Sequence, residues 1–429
     1  MRVVDHYVSH PRAARKGDEV LYLKYGMDAG AFSVGNPANM TFLDVACSMP
    51  LGWSGERPRS PRASSLEEAC TRMFASSFER GRCYIPFSGG RESSMWLATA
   101  TRYARRNGHD DPIPVTLRYP GLASANELQV QERVVTHLGF DDWERVEPDG
   151  GLDLIGPVAR ATLARTGPLW PPNAYMMAPV IEAARDGVFV LITGVTDFFS
   201  WWRWGPLMGV FDLHRRPTRH DLSLAAAALM PAPLRVRAAR RHGAPPPMPW
   251  LRPVAEREAL ELLRRRQAAV PLRCDRAMAD QITHRCFIGG AGTFRALGEA
   301  FGTSIDQPLH QSSAVDSFAG ASGWRGFRGL SDALRRMCGD LLPPEVLIAR
   351  PAPDLTRLFF GDASREFAAG WSGAGLDHSV VDAAALRRNW LSDTPDPRTA
   401  CLLQFAWLTE QVSDAGSVTT TDELLVTQP

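Results

Sequence analysis

Apolar residues recur along the first half of the chain at two alternating spacings. Leu66, Cys70, Met73, Phe74 and Phe78 share one face of a helix that opens at Ser64 or Ser65, with Glu67 and Glu68 in its first turn. The short apolar run Cys83-Tyr84-Ile85-Pro86-Phe87 predicts a strand, provided that Pro86 avoids a ladder donor position. The spacing then predicts helices over 93–105, 125–138, 152–165 and 175–185, interleaved with strands over 113–118, 143–146 and 188–193. Strands alternating with helices predict an α/β protein built on a doubly wound parallel sheet.

The flanks read differently. Before residue 62 the pattern suggests strands over 20–25 and 42–46, ending in a turn-rich stretch over 54–61. After Gly205 the strand signals stop. A Pro/Arg-rich stretch over 231–253 reads as a solvated connection, with polyanion binding through Arg235, Arg237, Arg240 and Arg241 as the alternative. Helices are expected over 255–269, 274–287, 330–338 and 398–411, with a polar, frayed end. The expected organisation is an N-terminal extension (1–62) of uncertain fold, a main domain (63–412) and a polar tail (413–429).

Composition narrows the chemistry. Lys+Arg is 48 against Asp+Glu 47, a net charge of +1, so no global field draws nucleic acid or anionic lipid. Only Lys16 and Lys24 are lysines, which leaves 46 arginines. No residue beyond 24 can therefore act as a Schiff-base or Walker-A lysine. Seven cysteines without a C-x-x-C pair argue against a zinc ribbon or a disulfide scaffold. The ten histidines lack zinc-binding spacing, and His310 is expected at the surface. The first residues are polar and no apolar run reaches membrane length, so the expected location is the cytoplasm.

The chemistry concentrates in Ser88-Gly89-Gly90-Arg91-Glu92-Ser93-Ser94, between a strand and a helix. Two glycines allow a tight turn whose amide N–H groups converge on one anion, and the helix dipole points its positive end there. Hydroxyls of Ser88, Ser93 and Ser94 add donors. Such a loop suits phosphate or pyrophosphate and needs no lysine. Gly289-Gly290-Ala291-Gly292 lacks a preceding strand and reads as a helix N-terminus.

Here the chain resembles the asparagine synthetase family of ATP pyrophosphatases, whose loop reads Ser-Gly-Gly-x-Asp-Ser; Glu92 stands at the Asp position. Residues 172–194 are similar to the family's helix and strand leading into a second glycine-acid loop, and 307–309, 330–336 and 342–350 to its helical C-terminal half. The resemblance implies an adenine-nucleotide α-hydrolase type of sheet, with ATP at the carboxyl ends of the strands. It implies adenine along Val115, Thr116 and Leu117 and against Gly194, and Mg2+ held by Glu92 and Asp197. A carboxylate would attack the α-phosphate, pyrophosphate would leave through Ser88–Ser94 with Arg91 neutralising it, and an amine would displace AMP to give an amide. The partners implied are a small-molecule or peptide carboxylate, an amine, and a protein that supplies substrate.

The chain departs from that family at four places. Residue 2 is Arg2, not the cysteine that releases ammonia; Val195 replaces a loop carboxylate; and Trp201, Trp202 and Trp204 crowd the continuation. Arg350-Pro351-Ala352 puts alanine where the family has lysine. Loss of such a cation costs on the order of 2–4 kcal/mol of transition-state stabilisation unless Arg350 substitutes electrostatically. Two further readings stay open: a non-catalytic relative that binds nucleotide or a partner enzyme, and a tRNA-modifying pyrophosphatase, against which the near-zero charge speaks.

Overall fold

The period-2 pattern of the short strands feeds two separate cores. Cys83, Ile85 and Phe87, with Val188 and Val190, point into one cluster of buried side chains. Tyr84, Ile113, Val115, Phe189 and Leu191 point into the other. Strands that are apolar on both faces must be covered on both, which is the signature of a parallel sheet between helical layers. The computed structural model describes residues 36–53, 65–119, 127–148, 150–192, 207, 210, 216–231, 233–237, 246–327, 330–348 and 355–423.

Five strands pair in parallel: β1 (Cys83–Pro86), β2 (Ile113–Leu117), β3 (Glu144–Val146), β4 (Val188–Val190) and β5 (Ser304–Asp306), in the order β3-β2-β1-β4-β5. The chain steps outward from β1 to β3, then returns to lay β4 on the other side of β1. The carboxyl ends of β1 and β4 therefore flank a topological switch point, where open sheets hold ligands. Pro86 is tolerated because Phe87 N–H donates to Val115 O on the β2 side (2.8 Å), whereas pairing with β4 stops at Tyr84.

In chain order the helices used below are α1 (Phe42–Ala46), α2 (Leu66–Glu79), α3 (Arg91–Asn107), α4 (Leu128–Leu138), α5 (Pro157–Thr166), α6 (Ala178–Ala183), α7 (Arg219–Leu229), α8 (Pro253–Ala269), α9 (Cys274–Asp280), α10 (Arg285–Phe301), α11 (Ser312–Ser322), α12 (Leu330–Cys338), α13 (Thr356–Phe359), α14 (Asp362–Gly370), α15 (Ala383–Trp390) and α16 (Ala400–Glu423). One face of the sheet carries α2, α3, α4, α9, α11 and α12. The other carries α5, α6, α10 and α16.

Several expectations are corrected. Residues 42–46 form a helix, not a strand, because Thr41 and Asp44 close a capping box around it. Asp44, fully buried, also accepts from Leu51 N–H (2.7 Å) and pairs with Arg285 (2.7 Å). Phe42 meets the Phe405 ring edge-on at 5.5 Å, so residues 36–53 belong to the main core. The strand at 20–25 lies outside the described residues. Strands do not stop after Gly205: β5 extends the sheet beyond β4. The helix expected over 152–165 begins only at Pro157, and that over 175–185 is a 3-10 turn (Ala174–Met177) followed by α6.

The helix expected over 274–287 is broken at His284, whose extended backbone (ψ 132°) bridges to Trp53. The Pro/Arg-rich stretch is not wholly solvated. Trp250 is fully buried and donates to Ala46 O (2.9 Å), and Arg235 turns back onto Ala268 O (2.8 Å). α16 runs on to Glu423, through much of the expected tail. No described helix is long and apolar enough to cross a membrane.

Candidate functional site

Five hydrogen bonds fold the loop after β1 on itself. Ser88 Oγ lies 3.0 Å from Ser93 Oγ, and Ser93 Oγ accepts from Ser88 N–H (3.2 Å) and donates to Gly90 O (3.0 Å). Ser88 Oγ accepts from Gly90 N–H (3.2 Å), and Ser94 N–H donates to Gly90 O (2.9 Å). The helix begins at Arg91, two residues earlier than the spacing predicts. Gly90 is its N-cap and offers no side-chain capping bond, so the N-terminus of the 17-residue helix α3 opens at the loop, while the Ser88 and Gly90 amides donate to the loop's own serine hydroxyls.

Gly89 turns with φ +86°, and a Cβ there would meet Gln131 Cγ at 2.8 Å and Glu127 Cβ at 3.1 Å. The start of α4 thus closes one side of the loop. Gln131, buried, donates from Nε2 to Ser88 O (2.8 Å) and holds that peptide plane. Neither Glu127 nor Gln131 is visible as a site residue in the sequence, because the contact links β1 and α4 across about forty residues. Their i, i+4 spacing on one helix face was the available signal.

The sequence-predicted residues divide into three groups. Ser88 is exposed, Arg91, Glu92 and Ser93 are half-buried, and Ser94 is buried. These come together at the loop. Arg91 Nη1 reaches Ser331 Oγ on α12 at 3.3 Å, which ties the loop to the C-terminal half. Val115 and Thr116 are buried in the sheet: Val115 O takes the Phe87 N–H, and Thr116 Oγ1 donates to Phe87 O (2.7 Å) while accepting from Trp143 Nε1 (2.8 Å). Leu117, at the strand end, is half-buried. The third group, Gly194, Asp197 and Arg350, lies outside the described residues, as do Val195, Trp201, Trp202, Trp204 and Ala352.

The carboxyl end of β5 carries a second polar knot. The Asp306 carboxylate, buried, accepts from Ser76 (3.1 Å) and Ser77 hydroxyls on α2 and from Gln311 Nε2 (3.1 Å). Every partner is spoken for, so the knot fastens β5 to α2 and α11. Among the described residues no group of three or more His, Cys, Asp or Glu side chains is arranged to hold a metal. None of the seven cysteines is in a disulfide, and burial pushes Cys70 up to about 11 and Cys338 up to about 12, so neither supplies a thiolate at neutral pH.

His310 is not a surface residue. Its ring stacks on Phe287 at 4.1 Å and its Nε2 lies 3.2 Å from Phe287 O. Burial pushes it down to about 4, reinforced by Arg295 and opposed by the Phe287 carbonyl. Its ordinary value is near 6.5, so between about 6.5 and 4 the unfolded chain binds the extra proton. This residue's contribution to stability is complete above pH 6.5 and is lost as pH falls toward 4. The thermal midpoint should fall across that window, and His310→Phe should flatten the fall; an unchanged profile in the variant would refute the assignment.

Compared with known proteins, the chain matches no family model and no curated protein.

Proposed function

We propose that the chain is an ATP-dependent, AMP- and pyrophosphate-forming ligase of the asparagine synthetase-like kind, which adenylates a carboxylate and forms an amide. The observation that carries this reading is the Ser88–Ser94 loop at the carboxyl end of β1, beside the β1/β4 switch point of a parallel sheet in the order β3-β2-β1-β4-β5. A parallel sheet with the loop at the carboxyl end of a strand beside the switch point supports an adenine-nucleotide α-hydrolase reading. Backbone amides, the Ser88 and Ser93 hydroxyls and the dipole of α3 would bind the departing pyrophosphate, with Arg91 beside them as the neutralising cation.

The glycine-serine composition of the loop suits a diphosphate, and Gly89 keeps the turn that Gln131 packs against. Mg2+ fits the donor chemistry, since Glu92 and Asp197 offer hard oxygens; when bound it would neutralise phosphate charge. Leu117, at the open end of β2, is the member of the Val115–Leu117 trio with a half-exposed side chain against which a base could rest. In the amide-forming step, Arg350 or another arginine would supply the charge that the family's lysine gives at the position of Ala352, without being able to pass a proton.

The test is the nucleotide product. Incubation with ATP, Mg2+ and a panel of carboxylates should yield AMP and pyrophosphate by ion-exchange chromatography, and Glu92→Ala and Asp197→Ala should each abolish it. ADP and phosphate as products would overturn the reading. Nucleotide binding without AMP release from any carboxylate would favour a non-catalytic relative instead.

A further inference from the structure

Three arginines crowd the C-terminal half of α3, far from the loop that its N-terminus opens on. Arg102, Arg105 and Arg106 line a cavity of about 290 Å³ whose apolar walls are Ala98, Leu138 and Leu341. At about 1.5 Å per residue, roughly 16 Å of helix separates Arg102 from Arg91. Arg91 reaches Ser331 at the start of α12, and Arg102 Nη2 donates to Met337 O near its end (3.1 Å). The two helices therefore run side by side in one direction, with the loop at one end and the cavity toward the other.

The three guanidinium groups are unequally employed. Arg105 chelates Asp111 through Nε (2.9 Å) and Nη2 (2.6 Å) and also donates to Leu138 O (2.7 Å). Arg106 pairs with Glu67 at the surface. Arg102 is different. Its side chain is 22 % exposed, so its charge has lost much of its water, yet its one hydrogen bond among the described residues goes to the neutral Met337 O. Its counter-ion, Asp340, stands 3.8 Å away with its side chain 75 % exposed, and so loose a pair contributes little. A guanidinium carries five N–H donors, and a largely covered cation is stabilised by an anion at close range.

The walls select the rest of the ligand. Thr101 Oγ1 gives its proton to Leu97 O (2.7 Å), so the guanidinium groups are the donors that the described side chains present. No described acidic side chain lines the cavity; Asp111, Glu67 and Asp340 stand outside it. A bare inorganic anion would bury no apolar surface here. A carboxylate on an apolar body meets both demands, two oxygens for the guanidinium edge and carbon for the walls. The volume is at the small end of ordinary ligand pockets, about 300–1,000 Å³, which suits a short chain or a single ring.

We infer that this cavity is a second binding site, for a small monocarboxylate with an apolar body, in which Arg102 takes the carboxylate and Leu138 and Leu341 pack against the body. The site stands apart from the phosphate loop and does not depend on the nucleotide reading.

Isothermal titration of the full chain with butyrate, octanoate and benzoate tests it, with acetate and octanamide as controls for the body and the charge. At least one of the three carboxylates should saturate a single site, and octanoate should bind about tenfold or more tightly than octanamide, the scale of a charge-assisted pair. Arg102→Met, which keeps an unbranched apolar stem, should lose that preference for the carboxylate. Leu341→Trp, which fills the cavity and leaves the Arg102 bonds alone, should lose binding of both compounds, and a thermal melt of each variant should show the fold retained. Saturating pyrophosphate should leave carboxylate binding unchanged; competition between the two would place the carboxylate at the loop and overturn the inference. No binding of the three carboxylates at millimolar concentration, equal affinity for octanoate and octanamide, or binding that survives in folded Leu341→Trp would each overturn it as well.

Discussion

Gly89→Ala is expected to remove pyrophosphate binding and AMP formation while leaving a folded protein. The position has φ +86°, where a side chain costs about 1–2 kcal/mol. The new methyl would stand 2.8 Å from Gln131 Cγ and 3.1 Å from Glu127 Cβ. Gln131 yields most directly by giving up its 2.8 Å bond to Ser88 O, at a further cost of about 0.5–1.5 kcal/mol. The sum is a large fraction of an ordinary domain's stability, so a fall in thermal midpoint accompanies the loss. The site suffers more than the fold, because an anion cradle depends on amide directions and a turned peptide aims its N–H elsewhere. Affinity for pyrophosphate should drop by roughly two orders of magnitude, in keeping with loss of a preorganised donor. A variant that binds as wild type does would show that Ser88–Gly90 is only a turn.

Gly292→Ala and Gly290→Ala should change stability in opposite directions, although the two residues lie two apart in α10. Alanine favours a helix interior by about 1 kcal/mol over glycine. At Gly290 a Cβ meets nothing within 4 Å, so the variant should gain up to about that amount. At Gly292 the Cβ would lie 2.1 Å from Pro37 O, a backbone atom that cannot step aside. Residues 36–53 are anchored around it by the Arg285 contacts to Leu51 O, Asn39 O and the Asp44 carboxylate. Overpacking against a fixed backbone costs typically 1–3 kcal/mol or more, which exceeds the helix gain. Urea unfolding should place Gly292→Ala about 2 kcal/mol below wild type and Gly290→Ala at or above it. Equal midpoints would mean that the N-terminal segment does not pack on α10.

The same glycine cluster shows where sequence reading stops. Gly289, Gly290 and Gly292 look like a helix N-terminus because glycine disfavours helix interiors, yet they occupy the second and third turns of α10. For Gly289 and Gly292 the reason is the close passage of Ala38 O and Pro37 O, a contact some 250 residues away in the chain; Gly290 faces open space. Phe42–Ala46 misleads for a related reason. Five residues are too few to distinguish a buried helix from a strand, and the capping box decides it locally. β5 went unseen because Ser-Ile-Asp carries no pattern of its own; it is a strand only where β4 offers a ladder and Asp306 is held by Ser76, Ser77 and Gln311.

What the sequence determined by itself is set by short-range chemistry: the alternation of strands and helices from Leu66 to Val190, the all-apolar strands that demand cover on both faces, and a glycine-serine turn opening a helix. Those features depend on residues within a few positions of one another. The order of the strands, the inclusion of residues 36–53 in the core, the burial of His310 and the approach of Glu127 and Gln131 to Gly89 were decided only by tertiary structure. Each depends on which distant segment arrives, and the hydrophobic drive that brings segments together is non-directional. The sequence therefore specified a glycine-serine turn that opens a helix, and the fold set Glu127 and Gln131 against it.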